Sequence, residues 1–136
     1  MIAKTIKYKD FNGVEREEKF FFNLTKAEVT EMELSTSGGL GESIKRIVAA
    51  QDSPQIIKVF KELVLKAYGE KTLDGKRFRK VDDNGVPLSI AFSETEAYSN
   101  LFMELATDDV KAAEFVNGIM PADLNTDTPA ETNSKK

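Results

Sequence analysis

The sequence predicts an α+β fold, mainly helical, in which an N-terminal β-hairpin is followed by about five short helices and a disordered C-terminal tail. Three observations predict it. Residues 4–22 alternate around an Asn12-Gly13 turn, as a hairpin does. Helix-start signals recur at Thr25-Lys26-Ala27-Glu28, Ser53-Pro54 and Ser93-Glu94-Thr95-Glu96. Apolar residues then fall at three- and four-residue spacing after two of these starts. With 136 residues, 40% of them hydrophobic, the chain suits a single globular domain over 1–121, with 122–136 as a disordered tail or linker.

The hairpin has two competing registers. A two-residue turn at Asn12-Gly13 sets Asp10 opposite Glu15 and Lys9 opposite Arg16, both like-charge pairs, which destabilise a ladder. A type I turn over Asp10-Phe11-Asn12-Gly13, with Gly13 as a left-handed bulge, sets Lys9 opposite Glu15 and Lys7 opposite Glu17. The bulged register is favoured. Phe20 and Phe22 then share one face of the second strand and Phe21 takes the other. Either helices cover both faces, the simpler packing solution, or one face is left for a partner.

Thr25 is read as an N-cap with Glu28 completing its capping box, and Leu24 with Val29 as a hydrophobic staple, for a helix running to about Leu34. Ser35-Thr36-Ser37-Gly38-Gly39 breaks it. A short helix from about Gly41 to Gln51 follows, with Leu40, Ile44, Ile47 and Val48 on one face. Ser53 caps a third helix, in which Ile56, Ile57, Val59, Phe60, Leu63, Val64 and Ala67 cover a wide apolar arc, and Gly69 reads as its C-terminal stop. Residues 70–86 are polar and turn-rich, a small hairpin or an ordered loop. A short helix is read over 87–92. Ser93 to Glu96 then forms a capping box for a helix bearing Tyr98, Leu101, Phe102 and Leu105. Thr107 caps the last helix, to which Val110, Ala113, Phe115 and Val116 contribute apolar residues and which Gly118 and Pro121 close. From Ala122 onward only Leu124 is a large apolar residue, so that stretch reads as disordered.

Composition excludes much chemistry. The chain has neither cysteine nor histidine, which removes thiolate catalysis, zinc-thiolate sites, the Ser-His-Asp arrangement and the commonest metal ligand. The net charge of −4 argues against general nucleic-acid binding. No stretch is long and apolar enough to span a bilayer, and the first residues lack the apolar core of a signal peptide. These features point to a cytoplasmic protein that is not an enzyme and holds no cofactor or metal.

The candidate motifs fail their own tests. Ser37-Gly38-Gly39-Leu40-Gly41-Glu42 lacks the Gly-Lys-Ser/Thr of a phosphate loop, and the third glycine of a dinucleotide fingerprint falls on Ile44. Asp82-Asp83-Asn84-Gly85 places Lys80 and Ala91 where a calcium loop needs acids. Lys76-Arg77-Phe78-Arg79-Lys80, with Lys71 nearby, is a basic cluster with one aromatic inside it. It is either an exposed strand or loop with solvated charges or a contact for a nucleic acid or an acidic protein. The residues read as candidates for partner binding are Phe20, Phe22, Tyr98, Phe102, Arg77 and Arg79.

Several stretches resemble tail assembly chaperones of long-tailed phages or prophages of Gram-positive bacteria. The likeness runs over about residues 4–121. It rests on Tyr8-x-Asp10-Phe11-Asn12-Gly13, Phe22-Asn23-Leu24-Thr25-Lys26-Ala27-Glu28, Leu65-Lys66-Ala67-Tyr68-Gly69-Glu70-Lys71, Asp74-Gly75-Lys76-Arg77-Phe78 and Thr95-Glu96-Ala97-Tyr98-Ser99 continuing through Leu101 to Asp108. The resemblance implies a non-enzymatic protein of the bacterial host cytoplasm that binds the tape measure protein while the tail tube assembles and is absent from the mature virion. It further implies contacts with the major tail protein and with itself, no membrane and no specific nucleic acid. It also implies a longer form made by ribosomal frameshifting near the 3′ end. A structural tail or virion component is the alternative.

Overall fold

The computed structural model describes residues 1–35 and 53–121. The expected helix over 41–51, its glycine-rich approach and the tail from 122 lie outside the described residues. Within them the fold is α+β: two strands, β1 (Ile2–Lys9) and β2 (Glu15–Phe22), then helices α1 (Lys26–Ser35) and α2 (Ser53–Ala67). Strands β3 (Tyr68–Lys71) and β4 (Phe78–Arg79) follow, then helices α3 (Leu88–Ser93), α4 (Glu96–Thr107) and α5 (Asp109–Ile119). The strands form one antiparallel sheet in the order β1-β2-β3-β4.

The hairpin adopts the bulged register. Lys9 pairs with Glu15 and Lys7 with Glu17. The turn closes through Gly13 N–H donating to the Asp10 carbonyl at 2.9 Å, and Gly13 has φ +80°, a conformation that only glycine takes without strain. The Asp10 carboxylate accepts from the N–H groups of Asn12 and Val14 and from Arg16 Nε at 2.7 Å. Opposite charges across the ladder and a side chain that satisfies the turn's own donors select this register over the like-charge one.

Helices cover one face of the hairpin. On that face lie Ile2, Ile6, Tyr8, Phe20 and Phe22. The other presents Ala3, Thr5, Lys7 and Lys9 to solvent, with Phe21 partly buried. Polar residues at every second position of β1 make a second covering layer unnecessary. The core comprises Phe22, Leu24, Leu63, Val64, Ala67, Phe92, Ala97, Leu101, Leu105, Phe115 and Ile119, with Ile6, Val29 and Ala112 at its margin.

The first capping box forms as read: Thr25 N–H donates to Glu28 Oε1 at 2.8 Å and Glu28 N–H to Thr25 Oγ1 at 3.1 Å, with Leu24 and Val29 both buried. Other readings differ from the structure. Gly69 does not stop α2; it sits in β3, opposite Phe21. A Cβ there would lie 2.4 Å from Phe78 Cε2 and 2.6 Å from the Arg79 carbonyl oxygen, so glycine is required by the close approach of β4. The cap of α4 is Thr95, whose hydroxyl accepts from Tyr98 N–H at 3.2 Å, while Ser93 donates back to the Ile90 carbonyl and ends α3. The cap of α5 is Asp108, which accepts from the N–H groups of Val110 and Lys111. Thr107 instead donates to the Met103 carbonyl within α4.

The buried face of α5 also differs from the one expected. Ala112, Phe115 and Ile119 are buried, whereas Val110 is 68% exposed and Ala113 is exposed. Gly118 lies inside the helix, not at its stop, because Ile2 packs where its side chain would be: a Cβ would meet Ile2 Cδ1 at 3.0 Å. Residues 70–86 do form a hairpin. Thr72 N–H bonds the Arg77 carbonyl, Gly75 closes the turn with φ +75°, and Val81 bridges to Pro87.

Candidate partner-binding surface

Four of the six candidate residues belong to one aromatic cluster. Phe20 lies 5.3 Å from Phe92 and 6.5 Å from Tyr8, ring centroid to centroid. Phe22 packs edge-on against Tyr68, Phe92 and Phe115. Tyr68 stacks flat on Phe92 at 4.3 Å. Tyr98 meets Phe92 edge-on at 5.7 Å and lies 5.9 Å from Phe102. Phe22 is fully buried, so its side chain has no surface to offer a partner in this fold. Phe20 and Tyr98 are partly buried against the core, and Phe102 is partly buried at the outer end of the cluster. Burial raises the Tyr98 phenol pKa, and burial followed by the charge of Glu70 raises that of Tyr68. Both therefore remain neutral in the physiological range.

Arg77 and Arg79 lie apart from the aromatics, on the β3–β4 hairpin, and the basic cluster divides there. Arg79 Nη2 contacts Asp83 Oδ1 at 2.8 Å. Lys80 Nζ binds Glu28 Oε2 at 2.7 Å and the Lys66 carbonyl, in the last turn of α2, also at 2.7 Å. Its ammonium thus joins α1, α2 and the segment after β4, and lies 5.7 Å from the Phe78 ring. Burial acts to raise the Glu28 pKa, but the Lys80 ammonium and the N–H of Thr25 outweigh it, so the carboxyl lies below its ordinary range. Lys71, Lys76 and Arg77 are exposed and make no ion pair among the described residues.

Two surface features were missed in the sequence. The first is the set of exposed apolar side chains at turns and on helices: Phe11 at 79% exposure, Leu73 at 103%, Met103 and Val110. Phe11 and Leu73 both occupy the second position of a turn with glycine at the fourth. That position points away from the strands, and this was the signal that could have found them. The second is a groove of about 690 Å³ between α1, α2 and the chain from Lys80 to Ser89, with Met32, Leu65, Tyr68, Val81 and Pro87 as its apolar lining and the Glu28–Lys80 pair inside it.

Among the described residues there is no group of three metal-ligating side chains and no helix long and apolar enough to cross a membrane. Among the described residues the surface presents an open strand face, exposed apolar tips and cations that make no ion pair. No curated protein and no solved structure is detectably similar to the chain. A family model for phage tail assembly chaperones matches residues 1–136, the whole length of the sequence, and the chain therefore belongs to the phage tail assembly chaperone family.

Proposed function

We propose that the protein binds the tape measure protein in the cytoplasm of a Gram-positive bacterial host while the tail tube polymerises, and leaves before the virion is complete. The observation that carries this reading is the family match over the full sequence, which points to a non-catalytic role with phage tail proteins as partners. The surface supports it. The groove beside Met32 and Leu65 has the apolar lining that receives a helix side-on, the natural way to hold a long helical partner. Residues 122–136 are rich in polar residues, a composition that suits a linker.

Affinity purification of the tagged chain from infected cells is expected to recover the tape measure protein, with the major tail protein in smaller amount. Recovery of neither refutes the reading. Mass spectrometry of purified virions separates the chaperone from a structural tail component: the chain is expected to be absent, and stoichiometric presence establishes the alternative.

A further inference from the structure

The two hairpin tips differ in a way that bears on recognition. At the β1–β2 tip, Phe11 is exposed but the charges around it are matched: Lys9 faces Glu15, and Arg16 contacts both Asp10 and Glu18. At the β3–β4 tip, Leu73 is fully exposed and the flanking Lys71, Lys76 and Arg77 have no ion-pair partner among the described residues. Lys71 stands opposite Phe78 in the ladder rather than opposite an acid. Glu70 lies at the base of the same shallow hollow, opposite Arg79. The tip's other carboxylate, Asp74, accepts from Lys76 N–H at 3.0 Å and Thr72 Oγ1 at 2.7 Å; these bonds and the nearby Lys71 ammonium hold its pKa below the ordinary value, so it stays charged, and with Glu70 it offsets two of the three cations. Thr72 Oγ1 in turn accepts from Arg77 N–H at 3.1 Å. These bonds fix the backbone that carries Leu73, so little conformational freedom remains to be lost when the tip is gripped.

We infer that the β3–β4 tip, Leu73 flanked by Lys71, Lys76 and Arg77, docks on a protein partner that presents an apolar socket rimmed by carboxylates. The choice follows from charge complementarity and shape. The tip is cationic on a chain of net charge −4, so it is a local inversion of the protein's field. A nucleic acid would use the cations and leave Leu73 idle, since phosphates offer an isolated leucine nothing. An anionic membrane would use both, but a bilayer gains nothing from a rigidly held tip, whereas a shaped socket does. An acidic rim around an apolar centre uses the leucine, the three cations and the rigidity together. Arg79 and Lys80, held by Asp83 and Glu28, are not part of this element.

The inference rests on the tape measure reading above, and the test separates the two. The full-length chain is titrated against the co-expressed tape measure protein of the same phage, as wild type, as Leu73→Ser and as the triple reversal Lys71→Glu, Lys76→Glu, Arg77→Glu. Arg79→Gln serves as the control. Leu73→Ser is expected to weaken binding by about tenfold or more, the value of one buried leucine. The triple reversal is expected to weaken it by at least as much and to reverse the salt dependence, so that binding strengthens from low to physiological ionic strength. Arg79→Gln is expected to bind as wild type does, and all variants to unfold at the wild-type temperature. Wild-type binding unchanged in both tip variants overturns the docking element and leaves the chaperone reading standing. No binding by the wild type overturns both. Retention of wild type on phosphatidylglycerol vesicles or single-stranded DNA, lost in the same variants, overturns the assignment to a protein socket.

Discussion

Replacing Lys80 by methionine keeps the aliphatic stem and removes an ammonium that ties α1 to the end of α2. Two bonds of 2.7 Å are lost, one to Glu28 Oε2 and one to the Lys66 carbonyl. A hydrogen bond to a charged donor contributes about 1.5–3 kcal/mol where it is shielded. Here the two side chains are 25% and 22% exposed, which lowers the ion-pair part to about 1 kcal/mol. The bond to the helix C-terminal carbonyl adds about 1 kcal/mol, favoured by the helix dipole. The whole change is then about 2 kcal/mol, which moves a urea midpoint by roughly 1 M. A double-mutant cycle with Glu28→Gln isolates the pair, with an expected coupling of about 1 kcal/mol.

The pH dependence has a definite sign. The Glu28 carboxyl is depressed in the folded state, so its contribution is present above the unfolded pKa and is lost as pH falls through the folded one. In Lys80→Met the ammonium is gone while burial remains, so the Glu28 pKa rises. Wild type and variant therefore differ most near neutrality, and the gap narrows as pH falls, first through the higher Glu28 pKa of the variant and then through the depressed one of the wild type. A coupling under about 0.3 kcal/mol, together with a gap that stays constant into acid, refutes this account of Lys80.

Three further outcomes follow from the packing and the caps. Gly69→Ala is expected to cost about 1–3 kcal/mol in thermal unfolding. Trimming Phe78 to leucine in the same chain is expected to recover only part of that cost, because the Arg79 carbonyl also blocks the site and is backbone. Thr95→Ala is expected to cost about 1 kcal/mol by urea denaturation and Ser93→Ala less than about 0.5, the reverse of what a cap at Ser93 requires. Asp10→Ala is expected to destabilise more than Asp82→Ala, and to speed amide exchange at Asn12 and Val14. Both aspartates hold two turn N–H groups, but only Asp10 also holds Arg16.

The parts of the fold that were legible in the sequence are those decided by neighbours in the chain. The hairpin register followed from which charges face each other across a short turn, and the Thr25–Glu28 box from a four-residue pattern. The short helix after Pro87 was also legible, as was the start of α2 at Ser53-Pro54. Gly69 was misread because its reason is remote: only the pairing of β3 with β2, and then the Phe78 ring lying over it, shows why no side chain fits. The α5 cap was misread because Thr107 and Asp108 are both competent, and Thr107 is spent on the Met103 carbonyl. The α5 face was misread because at about 3.6 residues per turn Val110 and Ala113 do not share a face with Phe115, whereas Ala112 and Ile119 do, and these are buried. Of the candidate surface residues, Phe22 lies wholly within the core. Burial ranks the same residue types quite differently from sequence.

The turns explain why fold and display are separable here. Asp10-Phe11-Asn12-Gly13-Val14 and Asp82-Asp83-Asn84-Gly85-Val86 form the same structure: the aspartate accepts from the third and fifth N–H groups, and glycine takes the positive φ. At Thr72-Leu73-Asp74-Gly75 a threonine takes the first position, and its carbonyl again accepts from the glycine N–H. In all three the second residue has no part in closing the turn, so its identity is free: phenylalanine, aspartate and leucine stand there. The aspartate in the second turn, Asp83, draws Arg79 to itself and withdraws one cation from the basic cluster. The leucine in the third faces solvent beside the cations that remain. Substitution at Leu73 therefore alters what the surface meets and leaves stability within about 0.5 kcal/mol, whereas substitution at Asp10 or Asp82 does the opposite.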